Sequence, residues 1–203
     1  MTGRDRASRG GGRRPPRAVG GVRIIAGTWR GRRLPVPDAP GLRPSSDRLR
    51  ETLFAWLGPH LPGARCLDLF AGSGALGLEA ASRGAGSVTL VERDRDVAGA
   101  LAGSLRALGA GDSVTLVRRD WRAALDEAPG PYDVAFVDPP FGRGLQGPAL
   151  ERLAAGALAP SARVHVEMPA AEAPGFEPPP GYGTLRDKRF GDVVARLLGF
   201  EGG

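Results

Sequence analysis

Short apolar runs alternate with amphipathic segments along most of the chain, from about residue 65 onward. A run of four to eight apolar residues predicts a buried strand, and apolar positions three or four residues apart predict a helix. The strands predicted in this way are Cys66–Ala71, Ser87–Glu92, Ser113–Arg118, Tyr132–Val137 and Arg163–Glu167. The helices predicted between them are Gly74–Arg83, Asp94–Leu108, a short helix after Trp121, and Leu150–Leu158. Such alternation is typical of a parallel sheet with helices on both faces.

The carboxyl-terminal part of the chain adds two further strand-like segments. Tyr182–Phe190 and Val193–Phe200 flank the dipeptide Gly191–Asp192, which suits a tight hairpin turn. The segment before them, Pro169–Pro180, is too rich in proline for regular structure. We therefore expect an α/β fold with a doubly wound, Rossmann-like, mostly parallel seven-stranded sheet, and an antiparallel carboxyl-terminal hairpin at one edge.

The amino-terminal part predicts a small β-hairpin followed by a helix. The apolar run Val22–Ala26 and the arginine-rich turn Trp29–Arg33 form the hairpin. The apolar stripe of the helix consists of Leu49, Leu53, Trp56 and Leu57. Trp56 is therefore expected in the core, whereas Arg48 and Arg50 fall outside the stripe.

Positive charge is concentrated in the first quarter of the chain. Residues 1–50 contain 13 arginines and three acidic residues, whereas the remainder contains 15 basic and 19 acidic residues. A basic end favours a polyanionic partner, so nucleic acid is expected. The single cysteine, Cys66, excludes an internal disulfide, and the two histidines, His60 and His165, are expected at the surface or a strand edge rather than on a metal. No apolar run is long enough to cross a bilayer, which predicts a cytoplasmic protein.

A glycine-rich turn after the first predicted strand carries the first candidate site. Gly72 and Gly74 allow a tight bend and let a ligand approach the backbone closely. With Gly77, and with Glu92 twenty residues beyond Gly72, the spacing matches a dinucleotide fingerprint. Asp68 lies near the end of the strand, where its charge favours a cofactor with a positive sulfonium and a free α-amino group over a pyrophosphate. S-adenosyl-L-methionine is therefore expected ahead of NAD, while a helix-capping or loop-bracing carboxylate is the alternative for Asp68.

The second candidate site is Asp138–Pro139–Pro140–Phe141, directly after the strand Tyr132–Val137. The first and fourth predicted strands are neighbours in a doubly wound sheet, so this loop and the glycine turn are expected to face one crevice. The prolines stiffen the loop, and Asp138 and the Pro139 carbonyl can each accept a hydrogen bond from an exocyclic amine. Phe141 can stack on the base that carries this amine, an arrangement that suits methyl transfer to an aromatic amine. A rigid turn without a catalytic role is the alternative.

These two motifs resemble those of the class I S-adenosylmethionine-dependent amino-methyltransferases that act on nucleic-acid bases. The amino-terminal segments resemble, more closely, the bacterial 16S ribosomal RNA methyltransferases that modify the N2 amine of guanine 966. The segments that carry this closer resemblance are Arg23–Gly27, Trp29–Arg32, Arg43–Pro44, Asp47–Arg48 and Arg50–Phe54. The resemblance implies a cytoplasmic, monomeric, metal-free enzyme that acts on 16S ribosomal RNA, within the small ribosomal subunit or an assembly intermediate, and away from membranes.

The resemblance also implies roles for the matching residues. The cofactor contacts it implies are Asp68, Phe70, Gly72, Ser73, Gly74, Glu92, Arg93, Asp120 and Trp121. The catalytic loop it implies is Asp138, Pro139, Pro140 and Phe141. The RNA contacts it implies are Arg30, Arg32, Arg33, Arg43 and Arg48. The chain then divides into a disordered basic arm over residues 1–20, an extension over residues 21–60 that covers RNA or cofactor, and a methyltransferase domain over residues 61–203.

Other interpretations of the same residues stay open. The acid–proline loop also suits a DNA adenine-N6 methyltransferase. The glycine fingerprint also suits an NAD-dependent oxidoreductase, and the basic end also suits a non-catalytic RNA-binding protein. Trp121 fits the core of a helix as well as a contact with adenine, and Trp29 fits a brace of the hairpin as well as a stacking surface for a base. Glu167, at the end of a predicted strand, is expected to brace the catalytic loop.

Overall fold

The computed structural model describes residues 18–37, 45–127 and 130–202, which form a two-stranded and a seven-stranded sheet. In the small sheet, β1 (Ala18–Arg23) pairs antiparallel with β2 (Arg33–Pro37), which confirms the predicted amino-terminal hairpin. Its first strand lies at Ala18–Arg23 and not at the predicted Val22–Ala26. Residues 1–17 of the predicted basic arm lie outside the described residues. β1 begins at Ala18, ahead of the predicted end of the arm at residue 20.

The large sheet combines five parallel strands with an antiparallel pair at one edge. Its strands are β3 (Arg65–Asp68), β4 (Ser87–Val91), β5 (Val114–Val117), β6 (Tyr132–Val137), β7 (Leu158–Pro169), β8 (Tyr182–Phe190) and β9 (Val193–Phe200). They lie in the order β5-β4-β3-β6-β7-β9-β8, with β3 directly beside β6. The predicted doubly wound, mostly parallel sheet with its carboxyl-terminal hairpin is thus confirmed.

Helices cover both faces of the large sheet. Those of the described residues are α1 (Asp47–Leu57), α2 (Ala75–Ser82), α3 (Arg95–Leu108), α4 (Trp121–Asp126) and α5 (Gln146–Ala154). Three of them begin at a side chain that accepts a free backbone N–H of the first turn: Ser46 for α1, Asp94 for α3 and Asp120 for α4. Such caps satisfy donors that the helix itself leaves unpaired, and they fix where each helix starts.

Two layers of apolar side chains lie on opposite faces of the large sheet. α1, α2, α3 and the small hairpin pack on what we call the first face, and α4 and α5 pack on the second face. Because side chains of a strand alternate, Phe136 of β6 enters the first layer and its neighbour Val137 enters the second. β3 and β6 are therefore apolar on both sides over most of their length, and their carboxylates lie at or just beyond the strand ends.

Two predicted boundaries were wrong near the fifth parallel strand. The helix predicted at Leu150–Leu158 is α5, Gln146–Ala154, and β7 begins at Leu158 rather than at Arg163. Pro148 lies in the first turn of α5, where the N–H that it lacks would have no partner within the helix. The Pro169–Pro180 loop, expected to be irregular, contains one short 3-10 turn at Ala173–Gly175.

Two side chains of α1 differ from the stripe prediction. Trp56 is half-buried, and Phe54 takes the fully buried position instead. Arg50, predicted outside the stripe, is fully buried. Its guanidinium donates to Asp47 at 2.7 Å and lies 3.5 Å from the carboxylate of Glu79 on α2. A buried arginine is tolerated here because opposite charges and hydrogen bonds replace its hydration.

Glu79 joins three parts of the fold. Its carboxylate accepts the backbone N–H groups of Ile25 and Ala26, at 2.7 and 3.0 Å, and the Nε of Arg83 at 2.7 Å. Together with Arg50, which donates to the carbonyl of Arg23, it forms what we call the Arg50–Glu79 cluster. The cluster ties the small hairpin and α1 to α2, the helix that follows the glycine turn.

Candidate active site

The turn between β3 and α2 has the backbone that its glycines predict. Gly72 and Gly74 have φ angles of 52° and 79°, in the left-handed region that favours glycine. Gly74 also precedes the first residue of α2, and a Cβ there would lie 2.6 Å from Cδ1 of Leu101. Ser73 is buried between the two glycines. The sequence thus bends here as predicted, because no larger side chain fits at Gly74.

Asp68, the last residue of β3, is buried beneath this turn. Its Oδ2 accepts the backbone N–H of Gly77 in the first turn of α2, at 2.9 Å. This contact requires glycine, since a Cβ at Gly77 would lie 2.2 Å from Cδ2 of Leu90 and 3.1 Å from Asp68 Oδ2. Burial raises the pKa of Asp68 to about 7, helped by the charges of Glu92 and Glu167 and opposed by the N–H groups of Gly77 and Phe70. The carboxylate therefore braces the helix and remains poorly solvated.

Glu92, directly after β4, also contacts the glycine turn. One oxygen accepts the N–H of Gly72 at 3.0 Å, and the other accepts the N–H of Asp94 at 2.7 Å. The carboxylate thus holds the turn in place, and the side chain of Glu92 remains half-exposed. Arg93, the next residue, is exposed, in agreement with its charge.

The remaining predicted cofactor residues lie beyond β5 and on the turn after β3. Asp120 is half-buried and caps α4 by accepting the N–H of Arg122 at 3.0 Å. Trp121 is buried in the second-face core, with its ring 5.9 Å from that of Phe70. The burial of Trp121 agrees with the helix-core alternative. Phe70 is half-buried and packs against the second-face core, next to the glycine turn.

The catalytic loop predicted after β6 presents one carboxylate and one exposed ring. Asp138 is half-buried and Pro139 is buried, whereas Pro140 and Phe141 are exposed. Phe141 is 42% exposed, one of two large apolar side chains that are exposed within the described residues. Burial and the nearby carboxylates of Glu167 and Asp68 raise the pKa of Asp138 well above its ordinary value. An exposed phenylalanine beside such a carboxylate is a surface on which a planar ligand can stack.

Behind Asp138 lies a buried polar group that the sequence analysis largely missed. Ser45, just before α1, donates its hydroxyl to Glu167 Oε1 at 2.6 Å and lies 3.5 Å from Asp138 Oδ2. Because a hydroxyl has one hydrogen, the shorter contact takes it, and the lone pairs of Asp138 are left for other donors. The bracing role expected for Glu167 agrees with these contacts.

His165 completes this group and corrects a prediction. It was expected at the surface or a strand edge but is fully buried in β7, with Nε2 3.1 Å from Glu167 Oε1. Because Nε2 faces a carboxylate oxygen, Nε2 is the nitrogen that donates to Glu167, and Nδ1 has no hydrogen-bond partner within the described residues. The spacing of His165 and Glu167, two residues apart on one strand, is the sequence signal that places both on the same face.

Topology brings these residues to one edge of the sheet. β3, β6 and β7 are adjacent and parallel, so Asp68, Asp138 and Glu167 all lie at their carboxyl ends. Cys66 pairs with Val134, and Phe136 with His165, which sets the alternation so that all three carboxylates belong to the first face. The strand order confirms the prediction that the glycine turn and the acid–proline loop follow neighbouring strands at one edge of the sheet. Three poorly solvated carboxylates at one edge of the sheet form a site that attracts cations and hydrogen-bond donors.

The arginines predicted to bind RNA are divided among several places. Arg30, Arg32 and Arg33 are exposed around the small hairpin, where Arg32 donates to the carbonyl of Ala107 at 2.6 Å. Arg48 is exposed in the first turn of α1, and Arg43 lies outside the described residues. Trp29 is half-buried against the first-face core, in agreement with the bracing alternative.

In the part that the structure describes, no group of three or more His, Cys, Asp or Glu side chains is arranged to hold a metal ion. No described helix has the length and apolar character needed to cross a membrane. Cys66 is buried, and burial raises the pKa of its thiol to about 12. A thiol that stays protonated in this way is a packing residue.

Comparison with known proteins identifies relatives along nearly the whole chain. The family described as Conserved hypothetical protein 95 matches residues 22–199. The ribosomal RNA small subunit methyltransferase D of Escherichia coli K12 is 48% identical over 180 residues, which cover 88% of this chain and 89% of that protein. The protein of the same description from Haemophilus influenzae is 42% identical over 188 residues, covering 90% of this chain and 95% of its own.

Solved structures give the same match in three dimensions. The structure of yhhF from Escherichia coli superposes with a TM-score of 0.83 at 44% sequence identity, covering 91% of this chain and all of that chain. The region matched by the family includes both candidate motifs and begins near the end of β1. The Rossmann-like architecture is therefore a feature that this chain shares with those proteins over nearly its whole length.

Proposed function

This chain belongs to the family described as Conserved hypothetical protein 95, and we propose that it transfers a methyl group from S-adenosyl-L-methionine to the N2 amine of guanine 966 in 16S ribosomal RNA. The relatives' printed activity, methylation of small-subunit ribosomal RNA, supports the reaction and the substrate class. The choice of guanine 966 and its N2 amine rests on the resemblance of the amino-terminal segments. The observation that carries the proposal is the pair of carboxylates, Asp68 and Asp138, at adjacent strand ends with raised pKa values.

The chemistry of the strand-end residues fits the cofactor. Asp68 supplies a buried carboxylate for the α-amino group and the sulfonium, while Glu92 and Asp120 supply acceptors for ribose hydroxyls and the adenine amine. Gly72 and Gly74 keep the turn free of side chains that would fill the space above it. S-adenosylmethionine, when bound, supplies an electrophilic methyl group on a positively charged sulfur. Phe70, Ser73, Arg93 and Trp121 belong to the same proposed binding set.

The acid–proline loop fits the target amine. The exocyclic nitrogen of guanine is a weak nucleophile because its lone pair is delocalised into the ring. Asp138 and the carbonyl of Pro139 would each accept one N–H of this amine, which directs the lone pair toward the methyl group. Phe141 would stack on the flipped base, an interaction worth roughly 1–3 kcal/mol, against a few kcal/mol for flipping it out. Pro140 would hold the loop rigid.

The proton balance assigns a second task to Asp138. Bound S-adenosylmethionine would supply the methyl group and keep the electron pair of the broken bond on its sulfur. The amine nitrogen would then gain a positive charge and would have to lose a proton. Because the pKa of Asp138 is raised, its ionised form is a stronger proton acceptor than an ordinary aspartate. The carboxylate therefore stabilises the developing charge and takes the hydrogen as the reaction ends.

The proposal extends to the setting of the reaction. A ribosomal RNA substrate implies a cytoplasmic enzyme that acts on the small subunit or an assembly intermediate. We propose that one copy of the chain is sufficient and that no metal takes part, since the roles proposed for Asp68 and Asp138 require neither a second copy nor a metal. The exposed arginines Arg30, Arg32, Arg33 and Arg48, with Arg43, are proposed to hold the RNA.

Mapping the product tests the proposed function. The protein is incubated with S-adenosylmethionine labelled in the methyl group and with unmodified 16S ribosomal RNA or small subunits. We expect one labelled nucleoside, N2-methylguanosine, at position 966. Label on adenine N6, or transfer to DNA and not to RNA, would replace the proposal with the DNA adenine-N6 alternative. Binding of NAD in place of S-adenosylmethionine would replace it with the oxidoreductase alternative.

The raised pKa of Asp68 predicts that cofactor affinity depends on pH. A pKa of about 7 means that the folded protein retains this proton well above the pH at which an ordinary aspartate loses it. A positively charged cofactor favours the ionised carboxylate, so binding below about pH 7 must release the proton. We expect affinity for S-adenosylmethionine to rise up to tenfold per pH unit until about pH 7 and then to level off.

Calorimetry over the range from about pH 5.5 to about pH 8.5 measures this dependence. Asp68→Asn is the matched control, because it keeps the shape of the side chain but cannot be ionised. The variant should bind the cofactor more weakly and without the rise. Wild-type affinity that stays level below pH 7 would contradict the proposed contact between Asp68 and the cofactor.

A further inference from the structure

The edge strand β8 carries two positively charged side chains that have no counterion within the described residues. Arg186 and Lys188 are both exposed, and neither forms an ion pair within the described residues. Arg186 donates Nη1 to the neighbouring carbonyl of Leu185 at 2.8 Å, and Lys188 Nζ lies 5.4 Å from the ring centre of Phe190. These contacts hold the side chains in place but leave their charges without a counterion.

Strand register places both cations on the first face of the sheet. Arg186 pairs with Leu197 of β9, and Lys188 pairs with Ala195. Leu197 belongs to the first-face core, so its cross-strand neighbours project from the same side. Asp187, between them, projects from the second face, where it binds Arg196 at 2.7 Å. The two positive charges therefore stand together on one side, and the acidic residue between them stands on the other.

The same register relates the cations to the candidate active site. Lys188 pairs with Ala195, and Ala195 pairs with Glu167. Glu167 is one residue beyond Val166, the partner of Val137, and Asp138 is one residue beyond Val137. Lys188 and Asp138 thus lie in one row across the sheet, about 14 Å apart at three strand spacings of roughly 4.8 Å. Both side chains project from the first face, near the edge of the sheet at which the candidate active site lies.

A third exposed cation lies on the same face. α1 packs against β9 from the first face, and its first turn carries Arg48. Ser45, just before this turn, contacts Glu167, so the start of α1 is at the active-site edge. The edge of the crevice thus has exposed cations on α1 and on β8, with Asp138 and Glu167 in the same region.

We propose that Arg186 and Lys188 bind phosphates of the RNA on one side of the target nucleotide, and thereby continue the basic surface that begins at Arg48. The proposal rests on the proposed function, which supplies the RNA. Two cations on alternate residues of one strand are about 6.6 Å apart, so they can follow one backbone rather than bind a single anion. Such contacts position the RNA without reading its sequence.

The double variant Arg186→Ala/Lys188→Ala tests the basic surface by salt dependence. Affinity for unmodified 16S ribosomal RNA is measured across a series of salt concentrations, together with kcat and KM for methyl transfer. Loss of two single-strand phosphate contacts should reduce the slope of log affinity against log salt by about 1.4. KM for RNA should rise several-fold, while kcat and affinity for S-adenosylmethionine stay at wild-type values.

Arg189→Ala is the matched control, because Arg189 lies on the same strand but pairs with Val194 and projects from the second face. This variant should keep the wild-type slope. A double variant with an unchanged slope and normal methylation would overturn the phosphate contacts and leave the proposed function intact. A second outcome is that the double variant shows the expected loss of slope but the wild-type protein transfers no methyl group to RNA. That outcome would overturn the proposed function and retain the basic surface.

Discussion

Replacing Asp138 with alanine is expected to reduce kcat for RNA methylation by at least about 10²–10³-fold, the usual cost of removing one group that stabilises developing charge. The carboxylate is proposed both to orient the target amine and to accept its proton, so alanine removes two contributions at once. Affinity for S-adenosylmethionine should remain, because Asp138 follows β6, whereas the proposed cofactor contacts lie at or beyond the ends of β3, β4 and β5. Single-turnover methylation and calorimetry with the cofactor measure the two quantities separately.

Asp138→Asn distinguishes orientation from charge. The amide keeps one oxygen that accepts a hydrogen bond, but it neither stabilises a cation nor takes a proton. Its kcat should lie between the wild-type and alanine values. Methylation at the wild-type rate by the alanine variant would show that Asp138 is part of a rigid turn and has no catalytic role.

Replacing Arg50 with methionine is expected to lower the free energy of unfolding by about 1–3 kcal/mol, because it removes the buried guanidinium that contacts Glu79 and Asp47. This is a large share of the roughly 5–15 kcal/mol that stabilises a typical domain. The carbonyl of Arg23 also loses its donor, so the small hairpin should be held less firmly. Equilibrium unfolding in urea measures the change.

Glu51→Ala is the control for helix α1. Glu51 is exposed on the same helix, and its replacement should change stability by no more than about 0.5 kcal/mol. If Arg50→Met unfolds at the same urea concentration as Glu51→Ala, the ion pair with Glu79 contributes little to stability. The remaining contacts of Glu79, with Arg83 and two backbone N–H groups, would then be sufficient.

The local sequence pattern predicted the architecture because each strand, turn and helix depends mainly on residues that are close together in the sequence. A buried apolar run, a pair of glycines and a resumed helical period can form only a strand, a tight turn and a helix, and β3 and α2 follow in that order. The same reasoning placed the acid–proline loop after β6. The boundaries near α5 were displaced, because a proline in the first turn of a helix resembles a proline that ends a loop. The first strand was also displaced, to Ala18–Arg23.

The sequence by itself determined the sheet, its edge hairpin and the two motifs at neighbouring strand ends, since each depends on residue type at fixed spacing. Tertiary structure decided the partners of polar side chains that are far apart in the chain. Arg50 is buried because Glu79 lies opposite it, and Ser45 reaches Glu167 because α1 begins at the active-site edge. Whether a charge is exposed or buried depends on whether a counterion lies within reach, and only the folded chain brings the two together.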